Sequence, residues 1–598
     1  MPRFFKSFSS NRFSADPILV LLGLGVLGAL ILGGVLMAPM VFRFAPYEGW
    51  DECVAYTEAE PLSLVHRYQN DTYGSIEEVK FRIAKFIYKQ FDPIGKTLAP
   101  RRWTNNVPES YLRPVASFDA PNFDATYSRG ILERRPFIIA RYLNLIGGLI
   151  LGAILCGFWL VRYRRLALFL IVPLLWFLAS FAYEQETIEV SPNGWNALLA
   201  IVVFVCLTDV IERRRPIGLY LSAALLAFGA NSKIDFLALG LPIVVTWLAA
   251  DWEPGSWSRR WIKPALVCGL VFSATLIVTN PRLVYALPLA VAEQVRLLHY
   301  VRTEAVDSGA PSLNYNYMMF FREFLAQCVG APWNVAKLHS LSTMAAIVIC
   351  LFFPAAVIFS SDLNFRRRRS LLLILSSFYL CLWALPLLFT GDAHDRYFLS
   401  GTAIAVISVG YGCRYFWQKK SWLCRSLALL VLCLCAVFYI GRLKEVRRQS
   451  AEVETRLADG LDGTMSRNQA VLRIIQLIAT GEYAKQVIVD QHSYTDIRAF
   501  LEKGIPVTLV NMFDFQAELE KVPGSDKPTL GLYVPGKGTG PATWEGKWSD
   551  QESARYDRYL GYLSGFKTVA TFGSNPMFLL DWAPVDPADK VVIFETNR

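Results

Sequence analysis

Apolar runs as long as the hydrocarbon core of a bilayer recur from Pro17 to Gly441, and they restrict the fold more than any other feature of the chain. A helix rises 1.5 Å per residue, so about 18–20 consecutive apolar residues cross a membrane. The first run, PILVLLGLGVLGALILGGVLMAPMVF from Pro17, contains no charged residue and follows a basic start with Arg3, Lys6 and Arg12. A cleaved signal peptide has an apolar stretch of only about 7–15 residues, so this run is expected to remain as a first span. Ten more are expected at Phe137–Val161, Leu166–Tyr183, Asn193–Ile211, Ile217–Ala230, Phe236–Ala250, Pro264–Asn280, Leu341–Phe359, Ser370–Thr390, Tyr397–Trp417 and Ser426–Gly441. Only 18% of residues are charged, below the usual quarter of a soluble chain. The pattern predicts a polytopic α-helical membrane protein with about 11 transmembrane helices.

Loop charge supplies an orientation. With a cytoplasmic N-terminus, the loops on the same side read RYRR (Arg162–Arg165), ERRRP (Glu212–Pro216), SRRWIK (Ser258–Lys263), RRRR (Arg366–Arg369) and KKSWLCR (Lys419–Arg425). The short opposite loops, EQETIEVSP (Glu184–Pro192), NSKID (Asn231–Asp235) and GDAHDR (Gly391–Arg396), are acidic or nearly balanced. Lys and Arg mark the cytoplasmic side, so the expected topology is N-in, C-out. The net charge of +10 sits mostly in these loops, where it fixes topology rather than serving nucleic acid.

Three larger pieces then lie outside: residues 43–136, 281–340 and 442–598. In the first, IEEVKFRIAKFIYKQF (Ile76–Phe91) gathers Ile76, Val79, Ile83, Phe86 and Ile87 on one helical face, with Lys80, Arg82, Lys85 and Lys89 largely elsewhere. This suits a helix lying in the membrane interface, and equally a soluble helix packed on a core of the loop itself. In the tail, strands are expected at Gln486–Asp490, Pro506–Asn511, Thr529–Val534, Thr568–Phe572 and Met577–Leu580, with a last apolar run at Val591–Phe594. Helices are expected at Tyr494–Lys503, Asp514–Val522 and Gln551–Ser564, which together predict a small α/β domain. Its GKGTGP (Gly536–Pro541) has neither Walker spacing nor a following helix and reads as a turn. Most of the eleven cysteines fall in or beside spans; Cys53 and Cys328 lie in outer loops, where pairing is open.

Polar residues at the outer span ends suggest chemistry. The stretch RFAPYEGWDECVAYTEAE sets Asp51 and Glu52 beside Trp50 where the first span ends. Glu186 and Glu189 follow the third span, Lys233 lies between the fifth and sixth, Arg282 follows the seventh, and His394 and Arg396 precede the tenth. Each also fits a bland part, as a solvated loop acid or an interface anchor. Together, carboxylates and cations at one membrane level can take a proton from a hydroxyl and stabilise a departing lipid phosphate. Arg grips phosphate through paired hydrogen bonds, and Lys offers a point charge.

In order along about 420 residues, GWDECVAY (Gly49–Tyr56), ARYLNLIGGLILG (Ala140–Gly152), LLAFGANSKIDFLALGLP (Leu225–Pro242) and HDRYFLSGTAIAVI (His394–Ile407) resemble the GT-C superfamily of polyprenyl-phosphate-sugar-dependent glycosyltransferases. The resemblance is to the branch of protein O-mannosyltransferases and lipid A aminoarabinose transferases. It implies a GT-C-like catalytic module over residues 1–441, Asp51 as general base with Glu52 supporting it, and Lys233, Arg396 and Arg282 as donor-phosphate cations. Trp50, Glu186, Glu189 and His394 are then candidates on the acceptor side. The implied reaction inverts the anomeric centre and moves a sugar from a polyprenyl phosphate carrier to a glycolipid, polysaccharide or protein hydroxyl.

One departure stands out: where the family often has an acid near the start of span four, SPNGWNALLA (Ser191–Ala200) offers Asn193 and Asn196. No cofactor is implied and no metal-ligand motif is legible, although some GT-C members use a divalent cation. The expected location is the bacterial inner membrane, with site and tail facing the periplasm. A lipid-linked sugar flippase or secondary transporter, and a non-catalytic glycan-assembly subunit, are the alternative readings.

Overall fold

The computed structural model describes residues 17–42, 75–90, 115–116, 131–132, 134–180, 183, 192–232, 234–250, 261–279, 351–360, 363–384, 399–459, 463–490, 500, 503–510, 522, 524–533, 561–562, 565–572 and 591–596. Helix α1, Pro17–Met37, continues into a 3₁₀ turn, Ala38–Phe42. Next come α2 (Ser75–Gln90), the two-residue antiparallel strands β1 (Val115–Ala116) and β2 (Ile131–Leu132), α3 (Arg134–Tyr163), α4 (Leu168–Leu178), α5 (Pro192–Arg213) and α6 (Ile217–Ala230). Then follow α7 (Gly240–Ala249), α8 (Lys263–Thr279), α9 (351–359), α10 (Phe365–Tyr379), α11 (Leu399–Gln418), α12 (Trp422–Asp459) and α13 (Gly463–Ala479).

The chain is a multi-pass helical membrane protein. Four helical stretches, Pro17–Val41, Ile139–Leu178, Gly194–Arg213 and Trp422–Ala451, are long and apolar enough to cross a membrane. Ile217–Ala230, Phe236–Ala249 and Lys263–Thr279 are shorter apolar helices. Each expected span carries helix among the described residues, with altered ends: α10 starts at Phe365 and so includes the basic run Arg366–Arg369, while α12 continues unbroken past Gly441 to Asp459.

Exposure sorts the helices. On α1, Leu21, Leu24, Ile31 and Val35 point outward, and α12 exposes Leu423, Leu430 and Val437, as lipid-facing residues do. Residues 197–205 of α5 are nearly all buried, placing this helix in the middle of the bundle. Phe204 meets Phe353, Phe378 and Tyr411 edge-on, with ring centres 5.4–6.3 Å apart, a favoured aromatic geometry. Two threonine hydroxyls inside the bundle return to their own helices, Thr208 to the Phe204 carbonyl at 2.8 Å and Thr246 to the Pro242 carbonyl at 2.7 Å. For these two threonines the hydroxyl is thus satisfied within its own helix, as hydrocarbon requires. Where α11 crosses α4, a Cβ on Gly410 would lie 2.4 Å from the Phe169 carbonyl oxygen; only glycine lets the backbones approach that closely.

The tail forms a five-stranded sheet from β3 (Val487–Asp490), β4 (Val507–Val510), β5 (Thr529–Tyr533), β6 (Lys567–Phe572) and β7 (Val591–Thr596), in the order β4-β3-β5-β7-β6. The first three strands pair in parallel, and β7 runs antiparallel to both β5 and β6. Helix α13 buries Ala470, Val471, Ile474 and Ile478 against Val487, Val489, Leu530, Leu532 and Ile593. Ile488, Val510, Val522 and Phe594 make a second cluster, so the sheet is covered on both faces, which explains its near-continuous apolar strands. The expected strand at Met577–Leu580, and almost all of the three expected tail helices, lie outside the described residues.

Candidate functional site

Side-chain contacts sort the helix termini into two ends of the bundle. Gly34 of α1 faces Leu149 of α3, and Gly23 faces Leu160, so the two helices run antiparallel. The C-terminus of α1 therefore meets the N-terminal half of α3, at what we call the Met37 end. Tyr183, just beyond α4, reaches Gly148, and Trp195 at the start of α5 packs on Gly147. Asn231, after α6, hydrogen bonds Thr279 at the end of α8. On α12, Arg442 donates to the Ala179 carbonyl at 3.1 Å and Ser450 to the Leu36 carbonyl at 2.5 Å. Near the C-terminus of α11, Arg414 pairs with Glu212 at the opposite, Arg162 end, which puts the N-terminal Leu399 of α11 toward the Met37 end.

Trp50, Asp51, Glu52, Glu186, Glu189, Lys233, Arg282, His394 and Arg396 all lie outside the described residues, as do Cys53 and Cys328. Their described neighbours in the chain, Phe42, Tyr183, Ser232, Thr279 and Leu399, belong to helix termini at the Met37 end. The exit of α1, nine residues before Asp51 in the chain, is itself fixed. Arg141 is fully buried and donates to the Val41 carbonyl at 2.7 Å. A carbonyl in the last helical turn has no partner within its own helix, so Arg141 both satisfies it and ties the end of α1 to α3. Arg442, also buried, does the same for the Ala179 carbonyl after α4.

A compact polar group lies beside these anchors. Lys80 of α2 donates to Asn144 Oδ1 at 3.0 Å, and the Trp195 indole N–H donates to the same oxygen. The Lys80 ammonium also lies 5.2 Å from the centre of the Trp195 ring, within range of a cation–π attraction. Asn144 is buried at the junction of α2, α3 and α5, and its acceptor oxygen holds the two donors in register. The sequence permits this through Gly147 and Gly148: a Cβ on the first would lie 2.3 Å from the Trp195 ring, and on the second 2.4 Å from the Tyr183 hydroxyl. One turn inward from Pro192, Asn196 is buried and its Oδ1 has no hydrogen-bond partner among the described residues.

The Arg162 end is built differently. Glu212 of α5 accepts from Arg414, from the Tyr415 hydroxyl at 2.9 Å and from the Tyr163 hydroxyl at 3.1 Å, with Arg162 at 3.6 Å. The Arg414 guanidinium lies over the rings of Tyr163 at 4.2 Å and Tyr415 at 4.7 Å. Asp209 pairs with Arg162 at 3.2 Å and Arg213 at 3.1 Å. This network satisfies its own carboxylates and clamps α3, α5 and α11 together.

Lys80, Asn144 and Trp195 were not singled out as site residues by the sequence reading. Lys80 was visible only as one cation of an amphipathic helix, and a lone Asn in an apolar span is weak until Trp195 is seen to share it. Arg141, within the ARYLNLIGGLILG stretch, makes a defined anchoring contact. Among the described residues no three His, Cys, Asp or Glu side chains converge.

The chain matches no family model and no curated protein. Among solved structures it is similar to ArnT from Cupriavidus metallidurans bound to undecaprenyl phosphate, at 12% identity, covering 97% of this chain and 98% of that one with a TM-score of 0.43. It is also similar to the apo state of the same ArnT, at 11% identity, covering 85% and 98% with a TM-score of 0.34. Both superpositions fall below the level at which a shared fold follows.

Proposed function

We propose that this chain is an inverting GT-C-type glycosyltransferase of the bacterial inner membrane, with about eleven spans and its site and tail on the periplasmic side. Its donor is a polyprenyl-phosphate-linked sugar and its acceptor a hydroxyl of a glycolipid, polysaccharide or protein. Asp51 takes the proton of the acceptor O–H as that oxygen bonds to the anomeric carbon. The bond from that carbon to the phosphate oxygen breaks, and its electron pair leaves with the polyprenyl phosphate. Glu52 orients Asp51, while Lys233, Arg396 and Arg282 balance the charge gathering on the phosphate. Trp50, Glu186, Glu189 and His394 face the acceptor, and no metal is required.

One observation carries the reading. The described helix termini nearest in the chain to the nine candidates, one to ten residues away from them, fall at a single end of the bundle, where Arg141 and Arg442 tie the exits of α1 and α4 in place. Lys80 adds a cation at that end, held by Asn144.

The test uses wild type and Asp51→Asn in nanodiscs, given a panel of radiolabelled polyprenyl-phosphate sugars with membrane extract as acceptor. Transfer by wild type, with donor binding kept and turnover cut at least ~100-fold in the variant, is expected. Donor binding without transfer by wild type would favour a non-catalytic subunit, and absence of donor binding a transporter.

A further inference from the structure

The tail sheet holds a feature that the transfer chemistry does not use. Strands β4, β3 and β5 are neighbours in that order and all parallel, so their carboxyl ends lie at one end of the sheet. The first of them in the chain, β3, stands in the middle. The connection it feeds goes to β4 on one side, and the next, from β4, passes across to β5 on the other. The buried clusters show which face each takes. Phe500, between β3 and β4, packs with α13 on the face of Val487 and Leu530. Val522, between β4 and β5, and Tyr562 and Phe566, between β5 and β6, pack with Ile488 on the opposite face. The chain leaving β3 thus comes to one face of the sheet, and the chain leaving β5 to the other. In an open α/β sheet, such a switch between neighbouring strands opens a crevice beyond their carboxyl ends, and ligands bind there.

The sequence supplies the chemistry of that crevice. Val489 pairs with Leu532, so β3 and β5 end side by side at Asp490 and Tyr533, about 4.8 Å apart. From Asp490 the chain reads DQHSY, and from Val534 it reads VPGKGTGP, without an acid. Residues 491–499 and 534–560 lie outside the described residues, so only the strand ends from which they start are placed. A glycine-rich run around Lys537 offers backbone N–H groups and a cation, the means by which loops hold anions. Its lack of Walker spacing sets a nucleoside triphosphate aside. Asp490, Gln491, His492 and Ser493 offer the donors and acceptors that suit hydroxyl groups. We infer that the tail has a binding crevice of its own at the carboxyl ends of β3 and β5, and that it takes an anionic saccharide. The phosphate or carboxylate sits on the Gly536–Gly540 run, and the hydroxyls on the residues that follow β3. If the transferase reading holds, on which this last step rests, the acceptor is an acidic glycan. The crevice itself does not depend on that reading, so the test reads binding and no turnover.

The full chain in nanodiscs, without donor, is given glucose 6-phosphate, glucuronic acid, glucose or inorganic phosphate, and saturation-transfer NMR reads binding. Both acidic sugars are expected to bind at least about tenfold more tightly than glucose or inorganic phosphate. Lys537→Gln should weaken them about tenfold, as the loss of one charge-assisted contact does, and Lys537→Arg should restore them. Gln491→Ala/His492→Ala should bring them down to the level of inorganic phosphate. No binding by either acidic sugar, or glucose binding as tightly as they do, would overturn the inference. Inorganic phosphate binding as tightly as the sugars would overturn it too, by marking a bare anion site. Acidic-sugar binding unmoved by Lys537→Gln would also refute it, and loss in Lys233→Gln instead would move the contact to the membrane module. With no donor present, failure here leaves the Asp51→Asn test standing, and failure there leaves the crevice.

Discussion

Replacing Arg414 by Met removes the main partner of Glu212 without removing the buried charge. The two side chains are only 5% and 13% exposed, and stranding one member of a buried pair typically costs about 3–5 kcal/mol. Glu212 would keep two hydroxyl donors, Tyr415 at 2.9 Å and Tyr163 at 3.1 Å, with Arg162 at 3.6 Å, which soften the loss. Arg414 would in turn forfeit its place over the Tyr163 and Tyr415 rings, worth roughly 0.5–2 kcal/mol. The expected destabilisation is about 3 kcal/mol, or ~150-fold in the folded-to-unfolded ratio. Adding Glu212→Met should recover most of it, to within about 1–2 kcal/mol of wild type, because an apolar pair needs no compensation. Reversible unfolding in mixed detergent–dodecyl sulfate micelles, run as a double-mutant cycle, measures each step. A single-variant cost under about 1 kcal/mol, or a double variant as unstable as the sum of the singles, would refute the clamp.

Other outcomes follow from the same geometry. Gly147→Leu should push Trp195 off α3 and break the Asn144 junction, lowering stability by about 1–3 kcal/mol through overpacking; thermal unfolding in nanodiscs would show it, and an unchanged midpoint would count against the packing described. Chelation should leave transfer intact, and activity lost in chelator but restored by Mg²⁺ or Mn²⁺ would reverse the metal-independent proposal. The tail sheet should weaken in alkali. Burial and the Glu595 carboxylate raise the Tyr483 hydroxyl above its usual 10.0, burial alone raises that of Tyr533, and the hydrogen bond and charge of Glu595 raise the Lys567 ammonium above 10.5. A raised folded value gives stability that is whole below the unfolded value and lost as pH climbs through the folded one. Circular dichroism of the full chain should therefore show sheet loss beginning above about pH 10, less steeply in Lys567→Gln; a sheet unaffected by alkali would contradict this.

The sequence made the helices legible because lipid demands long apolar runs, and the tail strands because a sheet covered on both faces reads as short apolar bursts. Val487–Asp490 and Thr529–Tyr533 were both foreseen within a residue. Boundaries were less legible where apolarity and helix part company: Arg366–Arg369 is helical although charged, its first turn capped by the Asn364 side chain accepting from the Arg367 N–H at 2.9 Å. The packing face of α2 was missed for a related reason. Periodicity finds the most apolar stripe, whereas the structure packs the flank holding Lys80, Phe81 and Ala84 and leaves the stripe outward. For the site, Asn144 and Trp195 lie 51 residues apart, and only packing brings them together.

Helix α12 is 38 residues long, about 57 Å at 1.5 Å per residue, nearly twice the hydrocarbon thickness. It is fastened to the rest of the bundle as late as Ser450, so only the last nine residues run beyond that strap. An unbroken helix transmits rotation as well as distance. Inserting one residue after Ser450 would turn everything that follows Asp459 by about 100° and advance it by 1.5 Å, whereas inserting seven would restore the original facing within about 20° while displacing it by roughly 10 Å. A transferase that tolerated the seven-residue insertion but failed with one would show that the tail works by the direction it faces; the opposite result would show that it works by reach.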